Sequence, residues 1–176
     1  AATKTAKLPR SYFSWDDMVA NNANGFFPYT PATGLLYGLA EAIDMINEEG
    51  LENVFTRHER LAEATRRAVK AWGLDIQCRD PKYYSPAVTA VIMPEGHNAD
   101  AFRKLVLDTF NMSLGTGLNK IAGKVFRIGH LGDTNELTVM GALTGVEMSL
   151  EIAGVPHKKG GVAAAMTYLA ETMKAE

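Results

Sequence analysis

One glycine separates two long stretches of helical periodicity, and this arrangement limits the possible folds more than any other feature. Apolar residues recur at helical spacing over residues 33–49, and a second amphipathic stretch covers residues 51–72. Gly50 lies between the two stretches, and Gly73 follows the second. Because glycine readily adopts the backbone conformation in which helices end, the pattern predicts two consecutive helices.

The chain changes character after Gly73. Short apolar runs bounded by turn residues predict strands, and the segments between them have helical periodicity. Ser14, Asn98 and Asp133 are the expected capping residues of three helices. The pattern predicts an α+β fold in which helices pack against a small, mostly antiparallel sheet. Strands are predicted at 74–77, 88–93 and 124–128, a loop or short strand at 112–118, and helices at 98–110, 133–153 and 162–173.

Composition restricts the classes of function. The chain has 176 residues, of which 47% are hydrophobic and 22% charged, as is ordinary for a soluble globular domain. The formal charge of −2 argues against a nucleic-acid-binding protein. No apolar run is long enough for a membrane helix, and the first residues do not resemble a signal peptide. One cysteine fits a reducing compartment, so a cytoplasmic location, or an organelle matrix in a eukaryote, is expected.

Several kinds of site find little support in the sequence. The glycine-containing segment 115–124 departs from the P-loop pattern and lacks the third glycine of a dinucleotide fingerprint. The histidines and the one cysteine show no metal-ligand spacing, and no Gly-x-Ser-x-Gly elbow is present. Cys78 has no activating group nearby in sequence and is expected to be inert.

Two segments carry the candidate binding residues. The loop Gly25–Pro31 is stiffened by two prolines, so Tyr29 and Thr30 are expected to be held in place for contact. Arg127 lies inside an apolar strand, where a cation is costly unless it has a partner. A rigidly held guanidinium suits bidentate binding of a carboxylate. An internal ion pair with Asp or Glu explains this residue equally well from physical reasoning alone.

Three segments of the chain resemble a known enzyme family. They are FPYTPATGLLYGL at 27–39, GLENV at 50–54 and SLGTGLNKIAGKVFRIGHLG at 113–132. They are similar to the alanine–glyoxylate and serine–glyoxylate aminotransferases, which are class V, fold-type-I pyridoxal-phosphate enzymes, and the third segment resembles the serine–glyoxylate branch in particular. The resemblance covers nearly the whole chain. It implies that residues 1–32 are the tail of a large domain with its linker, and that 33–176 form the carboxy-terminal small domain with the long connecting helix.

The resemblance also implies roles for individual residues. Arg127 matches the arginine that binds the substrate α-carboxylate, and Gly115 and Gly117 match glycines of the loop on the substrate side. Thr30 matches the threonine that reaches the phosphate of pyridoxal 5'-phosphate in the neighbouring subunit of a homodimer. Relatives often place a tyrosine three residues before that threonine, where this chain has Phe27. Tyr29 is the residue expected to substitute for it.

The family's lysine, which carries the cofactor, lies upstream in a Ser-x-Lys-like segment that these 176 residues do not contain. No catalytic residue is therefore assigned within the chain. It is expected to be the carboxy-terminal portion of the enzyme and to be inactive alone. The expected partners are small amino acids and 2-oxo acids: the amino group of serine or alanine passes to glyoxylate and yields glycine.

Two alternatives remain open at this point. The chain could serve as a non-catalytic module that binds a small ligand or forms dimers. It could also resemble the cysteine desulfurases, which share the fold but usually carry a catalytic cysteine in a mobile carboxy-terminal loop. Cys78 precedes the second predicted strand rather than the arginine strand, which disfavours that second alternative.

Overall fold

The computed structural model describes residues 2–173, and the chain divides into two compact units. The first unit covers residues 1–49 and the second covers residues 50–176. The long helix 33–49 thus belongs to the same unit as the residues before it. The domain boundary that the family resemblance predicts after residue 32 is a different one, and it stays a prediction.

In its described residues, 2–49, the first unit contains three α-helices and a 3-10 turn at Ser11–Phe13. Ser14 begins the middle helix as predicted, because its side chain accepts the Asp17 N–H at 3.3 Å. The third helix covers the predicted range. Its apolar side chains are exposed, and none of its residues is buried. The helices are α1 (Ala2–Thr5), α2 (Trp15–Asn22) and α3 (Thr33–Glu49).

The second unit begins at Gly50, whose φ of 84° only glycine adopts readily. Helix α4 follows at Leu51–Ala71, and the predicted apolar face, which includes Leu61 and Trp72, is fully buried. Up to residue 173, three further α-helices follow in this unit: α5 (Ala99–Phe110), α6 (Glu136–Ile152) and α7 (Gly161–Met173). Helices α4 and α7 pack against each other, and α6 contacts both.

The capping residues agree with the predictions at one of these helices and differ at another. Asn98 caps α5, since its side chain accepts the N–H groups of Asp100 and Ala101. The expected cap of α6 at Asp133 is wrong. Asn135 caps that helix instead and accepts the Thr138 N–H at 3.0 Å. The helix therefore begins later than the sequence pattern predicts, and Asp133 lies in the preceding loop.

A three-stranded antiparallel sheet lies beside these helices, with strand order β1-β3-β2. The strands are β1 (Val88–Ile92), β2 (Gly115–Thr116) and β3 (Val125–Gly129). The strand predicted at 74–77 is reduced to one bridge, between Ile76 and Val91. The predicted α+β fold with a small, mostly antiparallel sheet is confirmed.

One face of the sheet packs into the core. Val91, Phe126 and Ile128 are almost completely buried, and their ladder neighbours Ala90 and Arg127 are only partly buried. Side chains alternate between the two faces of a strand, so Arg127 points away from the helices that cover Phe126 and Ile128. This alternation brings the candidate arginine to the less buried face of the second unit.

Candidate functional site

Arg127 occupies the middle of the central strand, between two small residues. In the antiparallel registers it is opposite Ala90 of β1 and Gly115 of β2. Directly opposed residues project on the same face of a sheet. The guanidinium therefore lies on a shallow surface, because neither neighbour has a side chain larger than a methyl group.

Arg127 forms no ion pair or hydrogen bond with another residue of the described range 2–173. Its Nε atom is buried without a partner, whereas the two terminal nitrogens are not among the buried unpaired atoms and therefore reach solvent. Of the two explanations that the sequence left open, the internal ion pair has no carboxylate to form it within this range. The Nε, Nη1 and Nη2 atoms of Arg127 therefore have N–H groups free to donate, and these groups are arranged in the planar fork that suits a carboxylate.

Gly115 and Gly117 have different structural reasons to be glycine. A Cβ built on Gly115 would lie 3.0 Å from both Cβ and Nε of Arg127. A Cβ on Gly117 would lie 2.2 Å from the backbone oxygen of Ile121, which belongs to the 3-10 turn Asn119–Ile121. Gly115 therefore leaves room for the arginine, whereas Gly117 allows its own loop to close.

A buried histidine that directly follows β3 connects this strand to β1 and to the segment before β1. His130 is fully buried, and its Nδ1 lies 2.9 Å from the carbonyl oxygen of Pro86, which can only accept. Nδ1 therefore carries the proton, and Nε2 accepts the hydroxyl of Thr89 at 3.0 Å. Burial lowers the pKa of His130, and the charge of Arg66 lowers it further, so the ring is neutral.

Two residues of α4 hold the loop that follows β3. Arg57 Nη1 donates to the carbonyl oxygens of Gly132 and Thr134, at 2.8 and 2.9 Å. His58 Nε2 accepts the Gly132 N–H at 3.1 Å, and its Nδ1 donates to the Val54 carbonyl at 2.7 Å. These contacts fix the carboxyl end of the arginine strand to the helix.

Several basic residues of α4 have partners within the second unit rather than forming a solvated face. Arg57 holds the loop described above, and Arg60 pairs with Glu136 of α6. Arg66 is 7% exposed and pairs with Glu63 at 3.0 Å. The partners of Arg57 and Arg60 lie more than seventy positions away, so no local pattern indicates them.

The other predicted binding residues belong to the first unit. Thr30 is exposed, and its hydroxyl makes no hydrogen bond with a residue of the described range. Tyr29 is 43% exposed; its hydroxyl lies 3.1 Å from Ser11 Oγ, and its ring centroid lies 5.1 Å from that of Tyr12. The loop thus presents one unbonded hydroxyl and one hydroxyl that already has a partner.

Three further observations bear on the type of site. Within residues 2–173, no group of three His, Cys, Asp or Glu residues could hold a metal ion. In the same range, no helix is both long enough and apolar enough to cross a membrane. Cys78 is partly buried, and its Sγ lies 3.5 Å from the Asp80 carbonyl.

Comparison with known proteins places this fold in an enzyme class. No protein-family model matches the chain. The chain is 52% identical over 166 residues to the serine–glyoxylate aminotransferase of Methylorubrum extorquens, covering 94% of this chain and 41% of that protein. It is 43% identical over 175 residues to the L-aspartate–glyoxylate aminotransferase of Paracoccus denitrificans, covering 99% and 44%. Pyridoxamine–pyruvate aminotransferase from Mesorhizobium loti superposes with a TM-score of 0.84 at 31% identity, covering 94% of this chain and 43% of that one.

The fold and these similarities together define the class: the chain corresponds to the carboxy-terminal part of the fold-type-I, class V aminotransferases. Within that class, it is similar to proteins named serine–glyoxylate aminotransferase. It spans about two fifths of the length of the curated relatives it matches, since the covered shares are 41% to 44% for the first four.

Proposed function

We propose that the full-length protein containing this chain transfers the amino group of serine or alanine to glyoxylate, giving glycine and a 2-oxo acid. The observation that carries the proposal is the unpaired guanidinium of Arg127 on the less buried face of the sheet. Each amino donor and acceptor in this reaction is a small molecule that carries a carboxylate next to its reacting carbon. One well-placed arginine can therefore serve both halves of the reaction.

Arg127 acts in this proposal by orientation rather than by proton transfer. Its strand is paired on both sides, so the side chain starts from a rigid backbone. A bidentate contact fixes both the position and the rotation of a carboxylate, which a point charge does not. Holding the carboxylate fixes the direction of the α-carbon bonds, and correct orientation is a large part of catalysis in two-substrate reactions.

The residues of the first unit fit part of a pyridoxal 5'-phosphate site. Thr30 has a free, exposed hydroxyl on a loop stiffened by Pro28 and Pro31, which suits hydrogen bonding to a phosphate. Tyr29 is the second candidate, although Ser11 already occupies its hydroxyl. When bound, the cofactor supplies an electron sink for the α-carbon of the substrate. In the homodimer that we propose, Thr30 serves the neighbouring subunit.

The remaining proposed roles concern the substrate side and the location of the protein. Gly115 and Gly117 would line the substrate side, where Gly115 leaves room for Arg127 and Gly117 lets the same loop close beside it. We assign no catalytic residue to these 176 residues and expect them to be inactive alone, because no segment matches the one that carries the family's lysine. We also propose a cytoplasmic or organelle-matrix location, because the single cysteine of the chain fits a reducing compartment.

The test is steady-state kinetics of the full-length protein with pyridoxal 5'-phosphate. Arg127→Ala should raise the KM for serine and for glyoxylate by at least about tenfold, which corresponds to about 1.4 kcal/mol of binding. Arg127→Lys should restore only part of the loss, because an ammonium lacks the fork. Arg79→Ala is the control, since Arg79 is exposed and has no interaction with the described residues. Unchanged KM and kcat in Arg127→Ala would refute the proposed role.

A donor panel separates the proposed activity from neighbouring ones. Serine, alanine and L-aspartate are each supplied with glyoxylate, because one similar protein is named for aspartate. We expect turnover with serine or alanine to exceed that with aspartate. A companion experiment studies the 176-residue chain by itself. Absorbance after addition of the cofactor should show no covalent linkage between cofactor and chain. Turnover by this chain alone would refute the assignment of catalysis to residues outside it.

A further inference from the structure

The strand that faces Arg127 is too short to hold itself in place. Strand β2 has two residues, lies at the edge of the sheet and pairs with β3 alone. Short edge strands contribute few ladder hydrogen bonds, so other contacts must fix their position. Gly115 belongs to this strand and lies against the Arg127 side chain.

Helix α5 supplies contacts on both sides of Gly115. Arg103 Nε donates to the carbonyl oxygen of Leu114 at 2.7 Å. The hydroxyl of Thr116 lies 2.9 Å from Asp100 Oδ1 and 3.1 Å from the carbonyl oxygen of Gly117. The carboxylate is the stronger acceptor because it is charged. The residues immediately before and after Gly115 are thus tied to one turn of helix.

The two helix residues also hold each other. Arg103 Nη1 donates to the same Asp100 Oδ1 at 3.1 Å, so the carboxylate joins the arginine to the threonine hydroxyl. We name the set Asp100, Arg103 and Thr116 the β2 clamp. Its members are partly exposed: the side chains of Arg103 and Asp100 retain 27% and 47% of their accessible surface. Exposed ion pairs add little to stability, so the clamp acts mainly on local geometry.

Helix α5 is a firm support for this clamp because the core fixes it to the arginine strand. Phe102 is 3% exposed, and its ring centroid lies 4.9 Å from that of Phe126, the residue before Arg127. The Ala99 N–H donates to the Gly123 carbonyl at 2.8 Å, just before β3 begins. The same helix therefore sets the position of β3 from the core side and of β2 through the clamp.

We infer that Arg103, Asp100 and Thr116 are positioning residues for the carboxylate-binding guanidinium of Arg127. No ion pair within residues 2–173 directs that guanidinium, so its packing partner Gly115 limits where it lies. Movement of β2 away from β3 removes this limit and broadens the directions available to the fork. A bidentate contact depends on such alignment, so a loosened clamp weakens carboxylate binding. This inference rests on the proposed role of Arg127.

The experiment compares variants of the full-length protein with pyridoxal 5'-phosphate bound. Thr116→Val removes the hydroxyl at nearly constant shape, and Arg103→Ala removes both arginine contacts. Both should raise the KM for serine and for glyoxylate by about three- to tenfold, the range expected for loss of one or two exposed hydrogen bonds. The kcat and the melting temperature should change little. Arg103→Lys should recover part of the KM, because an ammonium can still donate to Leu114.

The control is Lys104→Ala on the same helix, where Lys104 is exposed and, among the described residues, pairs only with Asp108. Lys104→Ala should leave the KM, the kcat and the melting temperature unchanged. Unchanged KM in Arg103→Ala and Thr116→Val, with a raised KM in Arg127→Ala, would overturn the clamp and leave the proposed function standing. Unchanged KM in Arg127→Ala would overturn both. A fall in kcat and melting temperature without a KM effect would assign the clamp to stability and overturn the inference.

Discussion

Gly115 and Arg127 face each other across the β2–β3 ladder so closely that a single methyl group would not fit without movement. A Cβ on Gly115 would lie 3.0 Å from the Nε and 3.5 Å from the Cζ of Arg127. The Arg127 Cβ, also 3.0 Å away, is fixed to the backbone, whereas the guanidinium can rotate, so an added methyl group would both widen the ladder slightly and displace the guanidinium. Glycine at this position thus determines where the cation lies.

Gly115→Ala in the full-length protein should therefore raise the KM for both carboxylate substrates and leave the fold intact. A displacement of a few tenths of an ångström misaligns a bidentate contact, and we expect an increase of about five- to fiftyfold, or about 1–2 kcal/mol. Steady-state kinetics and thermal unfolding measure the two effects. Gly141→Ala is the control, because no atom lies within 4 Å of the added methyl group. Equal KM for the two variants would contradict the prediction.

The Glu147 carboxylate stabilises the start of α7 in a pH-dependent manner. It accepts the N–H groups of Gly160 and Val162 at 2.7 and 2.8 Å. Burial raises the pKa of Glu147, but these donors outweigh burial and hold the pKa below its ordinary value. A lowered pKa means that the stabilisation is present above the unfolded-state pKa and is lost as the pH falls through the folded-state pKa.

Glu147→Gln should lower the free energy of unfolding by about 1 kcal/mol at pH 7, since one charged acceptor is lost. The stability difference between the variant and the original protein should narrow as the pH falls below the ordinary glutamate pKa of about 4.3, where the unfolded chain protonates first, and should close as the pH falls through the lowered folded-state pKa. Denaturant unfolding at several pH values checks this. Glu151→Gln, at a carboxylate one turn on that is 59% exposed, should change stability little. A difference in the free energy of unfolding that does not change with pH would refute the role of the Glu147 charge.

His130 should make the second unit sensitive to mild acid. Its pKa is lowered by burial, so the unfolded chain binds a proton more readily than the folded one. Stability is therefore greatest above the ordinary histidine pKa of about 6.5 and falls as the pH drops towards the folded-state value. His130→Gln should be less stable at pH 7.5 but lose less stability between pH 7.5 and 5.5. Equal losses in the two proteins would contradict this.

Arg57 and His58 should control the motion of the loop after the arginine strand. His58→Leu removes the acceptor of the Gly132 N–H, and Arg57→Ala removes two contacts to loop carbonyls. Hydrogen exchange of the Gly132 amide should quicken by at least about tenfold, the change expected for a loss of about 1.4 kcal/mol. Lys70→Ala, on the exposed side of the same helix, should leave exchange unchanged. No change in the first two variants would show that other contacts hold the loop.

Much of the fold could be predicted because its signals are local. The range of α3, the cap of α5 by Asn98 and the arginine strand all follow from periodicity and capping residues close in sequence. Family resemblance predicted Gly115 and Arg127 as parts of one site, and the β2–β3 register brings them together. The strand expected at 74–77 shrank to one bridge, because an apolar run alone does not specify how many residues pair.

The remaining features depend on contacts between distant parts of the chain. The role of Arg57 became visible only with its partners 75 and 77 positions away. Choosing Asn135 over Asp133 as the cap of α6 also needed the structure, because both residue types suit that position. The β2 clamp likewise joins a helix turn to a strand too short to be predicted from alternation.

The packing of α4 against α7 has a consequence for how the protein is made. Trp72, just after α4, is completely buried; its ring allows only glycine at position 161, and its carbonyl accepts the Lys158 N–H at 2.8 Å. The second unit is therefore closed by its first and last helices. During synthesis, α4 emerges from the ribosome about ninety residues before the helix that covers it. Its apolar face must stay exposed for that interval, so we expect chaperone binding to nascent chains that stop before Gly161 and release once α7 has emerged.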